Sequence, residues 1–240
     1  VTNSKNKSEF DYPTQTSQNT EYTYDGQSGL KLNFIDRFIL GIKVKDLKIA
    51  TSSNVTKDSK IITNRNIINR AKTLMPYLIY DDNPYMVIDD SGKQYWVLDA
   101  YTMSNKYPYS TPTVLEFNNT RHSINYIRNS IKVIIDSYDG TMRFYITDKT
   151  DPIASAYRNI YPTLFEADDQ EIPSDIAKHF VYPEYLYNIQ ASIIERYHNV
   201  STDVLYRSDD VWEAARKNVN KSATSKGNKI EPYYTTFKAV

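Results

Sequence analysis

Apolar residues recur with two different periods along this chain, and the period changes at recognisable places. Between Leu32 and Val44, the residues Ile35, Phe38, Ile39 and Ile42 fall at i, i+3, i+4 and i+7, which aligns them on one face of a helix. That face is either packed into a core or left as a docking surface. From Asn64 to Met75 the residues Ile67, Ile68, Ala71, Leu74 and Met75 predict a second helix. Thr63 or Asn64 is placed to cap it, and Pro76 to stop it, because a residue before proline avoids helical angles.

The middle of the chain switches to a period of two. Tyr85–Asp89 and Gln94–Tyr101 flank Asp90-Ser91-Gly92, a hairpin signal. Ile131, Val133 and Ile135 alternate with Lys132, Ile134 and Asp136. Met142, Phe144 and Ile146 resume the alternation after Asp139-Gly140. An Asp-Gly pair between alternating strands predicts a type I′ turn, with positive φ at both central residues. Two antiparallel hairpins forming one sheet of about four strands follow. Between them lies Thr102–Asn129, with Tyr107-Pro108-Tyr109 and Pro112, too long for a tight turn. Long excursions inside compact domains often carry function.

Helical signals return in the last third. Asp151-Pro152 opens Ile153–Ile160, Pro173-Ser174-Asp175 opens a short helix to Phe180, and Pro183 opens Glu184–Tyr197. Asp209–Ala215 reads as one more short helix. The fold class is therefore α+β: an antiparallel sheet of about four strands flanked by helices, with a helical C-terminal part. The organisation expected is a polar lead-in at 1–29, one domain at 30–216 with its helical subdomain from about 151, a solvated linker at 217–229, and a strand-like segment at 230–240.

Composition narrows the chemistry. Basic and acidic residues balance at 29 each, so the charge excess of a nucleic-acid binder is missing and no nucleic-acid partner is expected. With no cysteine there is no disulfide, thiolate metal site or cysteine nucleophile. No stretch approaches the roughly 20 apolar residues that span a bilayer. Val1–Ser8 has neither the apolar core of a signal peptide nor an initiator methionine, so the sequence reads as a piece of something longer. Tyrosine is abundant, at 22, and suits half-buried sheets and binding surfaces.

Common catalytic motifs are missing: there is no GxSxG elbow and no phosphate-binding glycine loop, and His122, His179 and His198 lack metal-ligand spacing. Asp81 and Asp82, with Asp89 and Asp90, offer hard oxygens that could hold calcium, as could Asp136 and Asp139. Solvated turn carboxylates are the competing reading, and paired acid–base catalysis a third. The other constellation is Asp99, Tyr101, Tyr107, Tyr109, Arg121, Asn125 and Arg128, with Tyr126 among them. Converging, these would give planar donors for an anion and flat rings for a sugar or peptide. The alternative is a network that pins the long excursion to the sheet, since buried arginine and aspartate must be paired. The basic stretch Arg216–Lys229 could touch anionic wall polymers or lipid head groups, or be simply solvated. No cofactor is expected.

Six strings occur in order: EFDYP at Glu9–Pro13, Tyr77–Asp82 followed by Pro84-Tyr85, DAYTMSNKYPYS at Asp99–Ser110, NYIRNSIKVIIDSYDG at Asn125–Gly140, YPEYL at Tyr182–Leu186, and EPYY at Glu231–Tyr234. Their order and spacing resemble uncharacterised protein family 0182, a family of bacterial multi-pass membrane proteins. The resemblance covers nearly the whole chain. It implies a cell-membrane protein, with this chain drawn from its large extracytoplasmic region. It carries no catalytic or binding residues across. The function expected is a binding or assembly module, its partners the transmembrane helices and remaining exterior of the same protein or further copies of itself. The rivals are a cell-envelope enzyme and a ligand-sensing or transport-accessory domain. Assembly predicts an exposed apolar patch, plausibly the Ile35–Ile42 face.

Overall fold

The computed structural model describes residues 1–5, 9–13, 19–31, 33–117, 120–167, 170–217 and 228–235. The chain divides into two compact units, Val1–Ile176 and Ala177–Val240.

The first unit opens with two short ribbons. β1 (Glu9–Pro13) pairs antiparallel with β2 (Asn19–Tyr22), so the lead-in expected as loop or extended chain contains paired strands. Tyr138 Oη and Tyr22 Oη both donate to Asp25 Oδ1, at 2.7 and 2.9 Å, tying this segment to a turn more than a hundred residues away. β3 (Leu30–Lys31) pairs with β4 (Lys60–Ile61). Between these lie α1 (Phe34–Val44) and the single-turn α2 (Lys48–Thr51). Asn33 caps α1 by accepting from the Asp36 N–H, and Lys45 closes it in the left-handed region. Gly41, the one buried residue of α1, faces the backbone of Asp46 and Leu47, where a side chain would crowd the corner.

α3 (Ile67–Leu74) starts three residues later than the Asn64 start expected. Its cap is Asn66, whose side chain accepts from the Asn69 N–H, while Asn64 sits at φ +52°, outside helical space. Then come β5 (Ile79–Tyr80), β6 (Tyr85–Ile88), β7 (Gln94–Ser104), β8 (Thr113–Phe117), β9 (Thr120–Ile124), β10 (Tyr126–Asp136) and β11 (Met142–Ile146). The main sheet has five strands, ordered β11-β10-β7-β5, with β6 also on β7. The two hairpins do share one sheet through a long β7–β10 pairing, Tyr95 to Asp136 at one end and Ser104 to Tyr126 at the other. The fifth strand arises because β5 and β6 pair with successive parts of the same edge of β7. Asp81–Pro84 interrupts them, and Pro84 has no N–H to offer a ladder.

The expected excursion Thr102–Asn129 is largely strand. β7 runs on to Ser104, β10 begins at Tyr126, and β8 and β9 form a separate two-stranded ribbon. The 139–140 turn also differs from the type I′ expected. Only Gly140 has positive φ, +71°, and the Asp136 N–H reaches the Thr141 carbonyl at 3.0 Å, so the loop is longer than two residues.

One face of the sheet carries the main core. Leu98, Ala100, Ile131, Val133, Ile135 and Phe144 pack against Ala71 of α3, Met75 at its C-terminal cap and Ala154 of α4 (Pro152–Ile160). Phe165 meets Phe144 edge-on, ring centroids 5.9 Å apart. Each of the larger side chains here, Leu, Ile, Val, Phe or Met, contributes about 1.5–3 kcal/mol on burial. α5 (Ser174–Ala177), shorter than the helix expected to reach Phe180, spans the division between the units.

In the second unit, α6 (Glu184–Tyr197) lies where Pro183 predicted it. α7 covers Thr202–Arg207, and the helix expected over Asp209–Ala215 is not formed. Ser208 and Asp210 both take positive φ there, which breaks helical continuation. Trp212 instead stacks on His198 at 3.8 Å between ring centroids. Lys229 bridges antiparallel to Arg216. Of the expected linker, 218–227 lies outside the described residues, as do 236–240 of the strand-like segment; 228 and 230–235 carry no strand.

Candidate functional site

The geometry that organises the polar residues is a bulge. Arg128 pairs with Thr102 and Ile131 with Ala100, so Asn129 and Ser130 share the position opposite Tyr101. The extra residue sends these two side chains to opposite faces of the strand pair, and each joins a different buried carboxylate.

On the helix-bearing face, Ser130 joins Asp151. The Asp151 side chain is fully buried and accepts from Thr102 Oγ1 and Ser130 Oγ at 2.5 Å each, and from Tyr126 Oη at 2.9 Å. It also caps α4 through the Ile153 N–H at 2.9 Å. Burial alone would raise its pKa, but these hydrogen bonds to the charged form outweigh burial and hold the carboxyl below the usual range. The Tyr126 hydroxyl is pushed up to about 12, by burial first and then by its bond to Asp151.

On the other face, Asn129 joins Asp99. Asp99 Oδ1 accepts from Asn129 Nδ2 at 2.8 Å and forms a buried ion pair with Lys132. Burial pushes the Asp99 carboxyl up, and Lys132 and Asn129 pull it only partly back. Neighbouring Tyr101 is fully buried and donates to Asp81 Oδ2 at 2.5 Å, while Asp81 Oδ1 accepts from the Asn83 N–H at 2.8 Å.

The seven residues expected to form a pocket therefore occupy separate places. Asp99 and Tyr101 lie buried in the second cluster. Tyr107, Asn125 and Arg128 gather around Tyr126: Tyr107 stacks on its ring at 5.7 Å, and the Arg128 guanidinium sits 5.5 Å from its centroid. Asn125 Nδ2 donates to the carbonyls of Tyr107 and Ser110, folding the strand end back. Arg128 Nη1 is held by Asp148 Oδ2 at 3.1 Å and Thr150 Oγ1 at 2.9 Å. Tyr109 is fully exposed at φ +59°, and Arg121 lies on the β8–β9 ribbon, exposed and facing Glu116.

A different surface stands out on α1. Its apolar stripe faces outward: Phe34, Ile35, Phe38, Ile39 and Ile42 are 71, 67, 49, 59 and 57% exposed. The inner side is held by Arg37, whose guanidinium donates to the carbonyls of Ile49, Ala50 and Ser52 at 2.9–3.2 Å. The core-packing reading of this face does not hold.

The sequence profile of the uncharacterised protein family UPF0182 matches residues 1–240. The chain belongs to this family. Among curated relatives, a UPF0182 protein of Caldicellulosiruptor saccharolyticus is 44% identical over 96% of this chain and 24% of its own length. UPF0182 proteins of Clostridium acetobutylicum and Clostridium tetani are 45% and 46% identical over 94% and 97% of this chain. They too are matched over only 24% and 25% of their length, so the chain spans about a quarter of the relatives it matches. No solved structure matches this UPF0182 chain significantly. Among the described residues no helix is long and apolar enough to cross a membrane.

The acidic pairs of this UPF0182 chain serve its turns. Asp89 Oδ1 accepts from the N–H groups of Ser91 and Lys93, and Asp136 Oδ1 from that of Tyr138. Asp139 Oδ1 accepts from the Thr141 N–H. Asp81 is buried and Asp82 exposed, so the two do not face one space. Asp151, Ser130 and Lys132, the most deeply engaged polar residues, were missed as site residues. For Ser130 and Lys132 a signal was available: they flank Ile131 at the start of the apolar run Ile131–Ile135, and polar residues inside a buried strand demand partners.

Proposed function

We propose that this chain is an extracytoplasmic module of a longer bacterial membrane protein, that it works by binding and assembly, and that α1 seats against another part of that same longer chain. The observation that carries this is the outward apolar stripe of α1. Five large apolar side chains on one helix face, each about half exposed or more, form a surface that soluble monomers rarely leave uncovered. The size of the relatives supports an occupant within the same protein, since three quarters of their length lies beyond this chain's match. The buried carboxylates favour binding over catalysis: Asp81, Asp99 and Asp151 are each engaged by neighbouring donors.

The test uses the longer protein with a photoreactive benzoylphenylalanine in place of Phe38. The expected product is a crosslink within one polypeptide. A dimer-sized adduct, a lipid adduct or no adduct would each overturn the assignment of the occupant. The side of the membrane has its own test, in the longer protein with any cysteines outside this chain replaced by serine; the chain itself has none. Lys57→Cys, on an exposed loop, is expected to react with a membrane-impermeant maleimide on intact cells. Labelling only after lysis would reject the extracytoplasmic placement.

A further inference from the structure

The second unit brings together two strings that lie nearly fifty residues apart, YPEYL at the start of α6 and EPYY near the chain end. Between them is a groove of about 520 Å³. Its walls are Tyr182, Glu184 and Tyr187 on one side and Glu231, Tyr233 and Tyr234 on the other. The two sides are fixed to each other. Tyr234 Oη donates to the Tyr182 carbonyl at 2.6 Å, Tyr182 Oη donates to Gln190 Oε1 at 2.8 Å, and Lys229 Nζ pairs with Glu195 at 2.9 Å. The Ile230 N–H reaches the Ala215 carbonyl at 2.8 Å, which holds the stretch leading into EPYY.

The chemistry of the lining is one-sided. Four tyrosine rings and two carboxylates face the groove, and among the described residues no lysine or arginine lines it. Neither Glu184 nor Glu231 forms an ion pair among the described residues, unlike Glu195 and Glu213 of the same unit. The four rings keep roughly half or more of their surface open to solvent. Aromatic faces carry negative quadrupole charge, and a cation over them is attracted most when a carboxylate is near and water is displaced. Neutral or anionic ligands gain nothing from that field.

We propose that this groove binds an alkylammonium group, with the tyrosine rings contacting its carbon-bound surface and Glu184 and Glu231 supplying the counter-charge. Two sources share that chemistry, a quaternary ammonium head group and a lysine side chain, and the experiment separates them. The intact chain, with its tyrosine rings labelled for NMR, is titrated with tetramethylammonium chloride and with Nα-acetyl-lysine methylamide. Sodium chloride at matched ionic strength and glucose are run beside them. The expected result is a saturable shift of the Tyr187 and Tyr233 ring signals with one or both cations. Saturation by tetramethylammonium identifies a quaternary ammonium source, and by the lysine amide alone a primary ammonium that needs its N–H donors. Glu231→Gln and Tyr187→Ala, both at solvent-exposed positions, are expected to weaken binding about tenfold each. Glu116→Gln, the same charge change in the other unit, is expected to leave it unchanged. The proposal is overturned by the lack of a saturable shift with either cation. It is equally overturned if glucose saturates the same signals, or if Glu116→Gln weakens binding as much as Glu231→Gln.

Discussion

Arg37 and Phe38 are adjacent in sequence, about 100° apart around α1, and meet different surroundings. The arginine turns inward to bond three carbonyls at the end of α2, and the phenylalanine turns out to solvent. The polarity of the helix is thus inverted relative to an ordinary surface helix. Arg37→Ala is expected to lower stability by about 1–3 kcal/mol, because it leaves carbonyls without a charged donor. Phe38→Asp with Ile39→Asp is expected to stay within about 0.5 kcal/mol of the parent, since little packing is lost. Urea unfolding of the isolated chain measures both. A large loss from the double substitution would show that the stripe is already packed.

Lys132 and Asp99 form a buried pair whose partners cannot be removed singly without exposing a charge to a low-dielectric interior. Lys132→Met is expected to cost about 3–5 kcal/mol. Adding Asp99→Asn is expected to recover most of that, because the amide keeps an oxygen for Asn129 and carries no charge. A double variant as unstable as the single would mean that Lys132 acts through packing alone. Its buried stem makes that a real alternative, and the denaturation midpoints of the three proteins decide it.

How much of this was legible in the sequence depends on whether the signal was local. α6 and α4 follow from Pro183 and from Asp151-Pro152, which set the first turn wherever the chain lies. The long strands follow from alternation at Ile131–Ile135 and Met142–Ile146. The β5 strand did not, because two residues at an edge are strand only by virtue of β7 beside them. The β8–β9 ribbon was obscured by Pro108 and Pro112, which bracket the approach to it but do not enter it.

The site was less legible for the same reason. Asp99, Tyr101 and Arg128 stood together in the expected pocket, but whether Arg128 shares a face with Asp99 depends on a one-residue bulge at Asn129-Ser130. A slip of one residue reverses every side chain beyond it. Alternation read across that point would place Arg128 beside Asp99, whereas the bulge sends it to Asp148 on the opposite face. The outward stripe of α1 was legible as a stripe. Which way it pointed was not, since that is set by where Arg37 finds its carbonyls.

Gly140 takes φ +71° at the end of its turn, a conformation that costs a residue with a Cβ about 1–2 kcal/mol. The atom such a Cβ would meet is the Arg70 guanidinium, the movable end of a flexible side chain. Backbone conformation should therefore dominate. Gly140→Ala is expected to cost that amount, and Gly140→Asn less, because asparagine visits the left-handed region more readily. Equal losses, or a larger loss for asparagine, would point to crowding against Arg70 instead.

Asp151 gives the chain a defined response to acid. Its carboxyl titrates below the usual value in the folded state, held down by Ser130, Thr102, Tyr126 and the Ile153 N–H against the effect of burial. A depressed folded pKa adds stability that is fully present above the unfolded value, near 3.9, and is lost as pH falls through the folded one. Asp151→Asn keeps an oxygen for the helix cap but cannot titrate. At pH 7 it is expected to be less stable than the parent by about 1–3 kcal/mol, the worth of charge-assisted bonds. Near pH 3 and below the gap should narrow, because the parent is then losing its own charge. Trp96 fluorescence in a Trp212→Phe background reports the first unit alone and gives the urea midpoint at each pH. A gap that stays constant or widens toward low pH would mean that the three hydroxyls bind the aspartate as well protonated as ionised.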